Sequence, residues 1–196
     1  AVAGTDSLRK LLKIAPQLPD LKVVFGTYPF EGARSLWHEI EAATPLADPV
    51  RTLAEDPAVM IYTSGTTGPP KGVLHAHRFL LGHLPSMEMT HEGFPQPGDI
   101  GWTPADWAWI GGLMDMAMPC LYYGVPLVAH RMRKFEPTAA YDLIARLGIR
   151  NLFLPPTALK LMRGAPVPAG VNIRSVSSGG ESLGAEMLDW GQRTLG

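Results

Sequence analysis

The run Phe135-Glu136-Pro137-Thr138-Ala139-Ala140-Tyr141-Asp142-Leu143-Ile144-Ala145-Arg146-Leu147-Gly148-Ile149-Arg150-Asn151-Leu152-Phe153-Leu154 changes its hydrophobic period once, and that change sets the fold class. Pro137 stands in the first turn of a predicted helix, where its missing N–H costs little. Ala140, Leu143, Ile144 and Leu147 recur at helical spacing, and Gly148 offers a C-terminal cap. Residues 151–154 then read as a buried strand. The alternation extends both ways, with a short strand at 126–129, a short helix at 156–162, a strand at 173–177 and a closing helix at 185–194. Strand–helix alternation with short links predicts an α/β fold, a largely parallel sheet with flanking helices and right-handed crossovers.

The preceding half is less regular. Residues 8–14 look helical, 22–25 and 59–62 look like strands, and 100–103 adds another. Leu80, Leu81, Leu84 and Met87 have helical spacing, but Pro85 inside the run is expected to kink or end the helix. The polar, proline-containing segment 44–56 reads as a surface connection. No internal repeat is found.

Composition narrows the function. The 196 residues carry 17 Lys+Arg against 18 Asp+Glu, a net charge of −1, which argues against a nucleic-acid or polybasic membrane surface. Hydrophobic residues at 46% and charged residues at 18% describe a globular chain with a real core. The single cysteine, Cys120, excludes an internal disulfide and an all-cysteine zinc site, which fits a reducing, cytoplasmic setting. No signal peptide is seen at Ala1. The apolar run 110–129 is long enough to span a bilayer, but Asp115, Pro119, Pro126 and three glycines interrupt it, so a buried helix, turn and strand is the expectation.

The chemistry concentrates in Tyr62-Thr63-Ser64-Gly65-Thr66-Thr67-Gly68-Pro69-Pro70-Lys71-Gly72. Consecutive hydroxyls between glycines supply donors, the glycines allow close backbone approach, and Lys71 adds a positive charge; together these can wrap a polyphosphate. It is not a Walker A loop, because Lys71 is followed by Gly72-Val73-Leu74 rather than by Ser or Thr and a helix. Residues 73–77 read as a strand, so the loop joins two strands.

This loop resembles the phosphate-loop motif of the adenylate-forming (AMP-binding) enzymes, which include acyl-CoA synthetases, peptide-synthetase adenylation domains and luciferases. Three further blocks agree in order. Asp99-Ile100-Gly101-Trp102-Thr103-Pro104-Ala105-Asp106-Trp107-Ala108-Trp109 resembles the family's Trp-Thr-x-x-Asp-x-x-Trp segment. Phe135-Glu136-Pro137 and Pro156-Thr157 resemble its Phe-Asp-Pro and Pro-Thr elements, with Glu136 in place of the usual aspartate and a poorer cap. Ser178-Gly179-Gly180-Glu181-Ser182-Leu183 resembles its adenine segment. The Trp-rich block and the Glu-Ser-Leu ending look most like short- and medium-chain acyl-CoA synthetases. The similarity is strong from about residue 58 onward and thin before it.

The resemblance implies roles. Thr63, Ser64, Gly65, Thr66, Thr67, Gly68 and Lys71 match the loop that holds the ATP phosphates, with Lys71 the catalytic cation. Gly180, Glu181 and Ser182 match the segment along the adenine. Trp109, Ile110 and Gly111 match a helix start lining the carboxylate and acyl pocket, and Gly179 matches a further pocket-wall position. His77 matches a family histidine six residues after the loop lysine, although the asparagine often found two residues later is Phe79. Residues 1–196 then form part of an AMP-binding N-terminal domain, with the phosphate loop at 62–72 and the adenine segment at 178–183. The family's magnesium-serving glutamate is expected beyond Gly196, and the C-terminal domain is absent. The implied enzyme is a ligase that uses ATP, magnesium and CoA on a small carboxylic acid. The alternatives are an adenylation domain serving a carrier protein, or a non-catalytic nucleotide-binding or interaction module. A partial sheet also predicts an exposed edge or apolar face and self-association. Gly111 and Gly179 predict room for acids larger than acetate.

Other constellations fare less well. Gly180-Glu181-Ser182-Leu183-Gly184 matches G-x-S-x-G, but no histidine follows His130, so a hydrolase triad cannot be completed within the chain. His75 and His77 would share one strand face as the start of a metal site, with no third ligand at a recognisable spacing and no metal expected there. Trp102, Trp107 and Trp109 read as core or pocket wall. Arg131, Arg133 and Lys134 form a solvated basic loop, with CoA phosphates the alternative, and Asp106 a turn residue.

Overall fold

A computed structural model describes residues 1–63, 68–130, 132 and 134–195. The chain divides into two compact units, Ala1–Arg51 and Thr52–Gly196. The boundary falls inside the predicted polar connection, whose residues 44–53 are exposed and form neither helix nor strand.

The first unit is a three-stranded parallel sheet in the order β1 (Val2–Ala3), β2 (Phe25–Gly26), β3 (Arg34–Ser35), with helices α1 (Thr5–Ile14) and α2 (Leu36–Ala42). Leu8 of α1 is fully buried, and a Cβ at Gly26 would stand 3.1 Å from its Cδ1. The predicted strand at 22–25 shrinks to Phe25–Gly26.

The second unit opens with an antiparallel hairpin, β4 (Pro57–Thr63) and β5 (Lys71–Ala76), followed by α3 (Phe79–Thr90). Pro85 does not end α3, which runs on through Thr90 and buries Leu84 and Met87. Packing of that face outweighs one lost backbone bond. Met60, Tyr62 and Leu74 share one face of the hairpin and are half exposed or more, so the apolar face expected from sequence is found here.

A second parallel sheet has the order β6 (Gly101–Trp102), β7 (Asn151–Phe153), β8 (Ser175–Ser177). The strand expected at 126–129 contributes a single parallel bridge, Leu127 to Gly101. Both faces of the sheet are covered, as an apolar parallel strand requires. Leu152 and Leu154 point into a core with Trp102 and with Tyr141 and Ile144 of α6 (Pro137–Leu147), joined by Met162 of α7 (Pro156–Arg163) and Met187 of α8 (Ala185–Thr194). Phe153 points the other way, toward Met87, Phe94, Met116 and Cys120. Gly148 caps α6 at φ 63°, as predicted, while Glu136 makes no side-chain cap.

The apolar run 110–129 folds as α4 (Ile110–Gly112), a π-helical turn (Leu113–Ala117) and α5 (Met118–Tyr123). Pro119 lacks the N–H that an α-helix would close on the Asp115 carbonyl, a local cause for the wider turn. No helix among the described residues is long and apolar enough to cross a membrane.

A buried polar cluster occupies the amino ends of the same parallel strands. Arg174 donates from Nε and Nη2 to Asp99 Oδ1 and Oδ2 at 2.9 and 2.7 Å, and from Nη1 to the His91 carbonyl at 2.9 Å. The Asn151 amide, turned so that its nitrogen donates to Asp99 Oδ1 (3.0 Å), accepts through its oxygen from Ser175 Oγ and Arg174 Nη2. His91 Nδ1 lies 2.6 Å from Ser175 Oγ, and its Nε2 is buried without a partner. Burial, then the Arg174 charge, pushes the His91 imidazole down to about 4 against a weaker upward pull from Asp99. A protonated ring would bury an N–H with nothing to accept it.

The folded His91 pKa lies below the ordinary 6.5, so the unfolded chain binds more protons between those values and stability falls as pH drops through them. The expected loss between pH 6.5 and 4 is on the order of 3 kcal/mol. Urea unfolding across that window checks it. His91→Gln is expected to flatten the profile, and an unchanged slope would refute the assignment.

Candidate active site

The site is built where the parallel strands end. Ligands of open α/β sheets bind beyond the carboxyl ends of the strands. Here β6 runs out into Thr103-Pro104-Ala105-Asp106-Trp107, β7 into Leu154-Pro155, and β8 into Ser178-Gly179-Gly180-Glu181-Ser182. An open cleft of about 510 Å³ lies at the end of β6, lined by residues 103–107 with Ala129, His130 and Met132. Asp106 is the turn residue expected, its Oδ1 accepting from the Ala108 amide at 2.9 Å and its carbonyl from the Trp109 amide at 3.0 Å.

That turn launches α4. Trp109 and Ile110 at its start are exposed, at 72% and 52%. Gly112 must be small because a Cβ there would meet the Asp106 and Ala105 carbonyls at 2.8 and 3.0 Å. A Cβ on Gly111 would stand 2.8 Å from two atoms of the Phe153 ring, and one on Gly179 would stand 4.0 Å from the same ring. The two glycines expected at the pocket wall therefore face one aromatic side chain. Glycine at 111 lets the Phe153 ring pack against the start of α4, whereas a Cβ on Gly179 would make only ordinary van der Waals contact with it.

The hydroxyl- and glycine-rich loop is framed by the hairpin register. Thr63 pairs with Lys71 across the ladder, with Tyr62 opposite Gly72. A Cβ at Gly72 would fall 2.9 Å from Met60 Sδ and 3.2 Å from the Tyr62 ring, so glycine lets these side chains close over it. Gly68 has φ 97°, a left-handed value that glycine tolerates. Lys71 is exposed and makes no salt bridge among the described residues. Ser64, Gly65, Thr66 and Thr67 lie outside the described residues, as do Arg131 and Arg133.

Gly180, at φ 98°, Glu181 and Ser182 form an exposed connection between β8 and α8. His77 falls in the turn after β5, not on the strand with His75. The shared strand face expected of the two histidines is thus absent, since the chain already turns into α3. No group of three or more His, Cys, Asp or Glu able to hold a metal occurs among the described residues. Burial, with a smaller push from Asp99, takes the Cys120 thiol up to about 12, so it is a core residue and not a nucleophile. Sequence reasoning missed the pair His83–Asp115, whose Nε2 and Oδ1 are 3.2 Å apart. The available signal was Asp115, a lone charge in an apolar run.

The fold defines an α/β protein that carries a hydroxyl- and glycine-rich hairpin loop closed by a lysine and an open cleft at the carboxyl end of a parallel strand. The chain belongs to the AMP-binding enzyme family, whose profile matches residues 1–196. It is 34% identical over 180 residues to acetyl-coenzyme A synthetase of Rhizobium rhizogenes, covering 83% of this chain and 26% of that protein. It is 32% identical over 191 residues to the Vibrio parahaemolyticus acetyl-coenzyme A synthetase, covering 90% and 28%. Among solved structures it is similar to Brucella canis acyl-CoA synthetase, with a TM-score of 0.79 and 29% identity over 99% of this chain and 36% of that one. The chain spans about a quarter of the length of the curated relatives it matches.

Proposed function

We propose that the whole protein joins a small carboxylic acid to CoA at the expense of ATP. In the first step a carboxylate oxygen attacks the α-phosphorus, the bond to the pyrophosphate oxygen breaks, and pyrophosphate leaves. In the second the CoA sulfur attacks the acyl carbonyl, its proton is lost to solvent, and AMP leaves. The observation that carries this reading is an exposed Lys71 opposite Thr63 at the mouth of the glycine-rich loop, with no salt bridge among the described residues. An ammonium held there meets charge growing on the departing pyrophosphate. Thr63, Ser64, Gly65, Thr66, Thr67 and Gly68 would cradle the phosphates, Gly180, Glu181 and Ser182 would lie along the adenine, and His77, Trp109, Ile110, Gly111 and Gly179 would flank the acid. Magnesium is expected with the ATP, and the described residues supply no cluster of ligands for it.

ATP–pyrophosphate exchange by the full-length protein with acetate, propionate and butyrate, followed by thioester formation on adding CoA, tests the reading. Exchange without CoA acylation would move it to carrier-protein delivery, and no exchange with any acid would overturn it.

A further inference from the structure

Resting on that reading, we propose that Asp115, backed by His83, ends the acyl pocket and selects an acid whose far end carries a hydrogen-bond donor. Asp115 lies one helical step beyond Gly111, and its Oδ2 is 3.6 Å from where a Gly111 Cβ would sit. The same Cβ position faces the Phe153 ring, which also faces Gly179. The wall that would meet the end of an acyl chain is therefore one aromatic ring and one carboxylate. Its neighbours on the π-helical turn, Met114 and Met116, are buried and apolar, while the Asp115 side chain keeps 40% exposure.

A carboxylate set among apolar groups is costly unless its oxygens are satisfied. His83 approaches Oδ1 from α3, its Nε2 3.2 Å away in a charge contact that falls short of hydrogen-bond geometry. Oδ2, the oxygen on the Gly111 side, has no hydrogen-bond or salt-bridge partner among the described residues. Burial raises the Asp115 pKa, and the His83 charge pulls it back in part. A purely alkyl acid would leave Oδ2 unsatisfied and dry, whereas a terminal hydroxyl or ammonium would donate to it. The carboxylate also sits at the centre of the π-helical turn, a distortion frequent at functional sites.

Exchange kinetics of the full-length protein with butyrate, 4-hydroxybutyrate and 4-aminobutyrate test the proposal. A donor-bearing acid is expected to lead butyrate in kcat/KM by about ten- to a hundredfold, the factor for a hydrogen bond to a charged group. Asp115→Leu is expected to erase that ratio. The isosteric Asp115→Asn, which keeps an acceptor but no charge, retains part of a hydroxyl preference and loses an ammonium preference. A purely structural Asp115 would lower all three acids together and leave the ratio unmoved, which overturns the proposal, as does butyrate leading in the unaltered protein. No exchange with any acid would instead overturn the ligase reading, and this proposal with it.

Discussion

Replacing Arg174 with methionine is expected to lower the unfolding free energy by about 3–5 kcal/mol, the usual cost of removing one partner from a buried ion pair. The Asp99 side chain has no exposure and Arg174 only 12%. Two guanidinium donors meet the two carboxylate oxygens at 2.9 and 2.7 Å, and a third meets the His91 carbonyl. Burial alone pushes the Asp99 carboxyl up. The Arg174 hydrogen bond, the Gln96 amide and the charges of Arg174 and Arg150 outweigh that and hold it below its ordinary 3.8. Without the guanidinium the desolvation remains and the largest compensation is gone. Asp99→Asn in the same background is expected to recover part of the loss, because the stranded charge disappears. Urea unfolding followed by tryptophan fluorescence measures both variants. A loss no larger than that from breaking the exposed Arg163–Glu186 pair would show that the cluster is not a structural keystone.

Lys71→Ala in the full-length protein is expected to slow acyl-adenylate formation by about a hundred- to a thousandfold, the range for deleting one preorganised transition-state donor. The side chain is exposed at the first residue of β5 and holds no salt bridge among the described residues, so the fold loses nothing that the site gains. Melting temperature and carboxylate affinity should therefore stay near their original values while ATP–pyrophosphate exchange collapses. An exchange rate that survives the substitution would remove Lys71 from the phosphate site. A rate that falls only in proportion to a lost melting temperature would make its role structural.

Local pattern carried much of this protein. The helical stripe Ala140, Leu143, Ile144 and Leu147, stopped by Gly148, formed as read, because helical spacing and a left-handed cap are properties of adjacent residues. The strands flanking the hydroxyl- and glycine-rich loop were legible for the same reason, as alternating or apolar runs beside a glycine-rich turn. Of the two outcomes expected at Pro85, an end to the helix did not occur, because its cost is local while the burial of Leu84 and Met87 that offsets it is not. The strand at 126–129 was overextended, since only Leu127 finds a partner on the edge of β6.

By itself the sequence determined the α/β class and the order of helices and strands, because each depends on residues close together along the chain. Tertiary structure alone decided what fills the pocket and what the core must neutralise. Gly111 and Phe153 are far apart in sequence, yet the ring packs against the place where a Cβ on Gly111 would stand. Asp99, Asn151 and Arg174 belong to the amino ends of three different strands and become one hydrogen-bonded cluster only when those strands align in parallel. Such contacts follow from which surfaces the sheet brings together, and no periodicity in the chain records that.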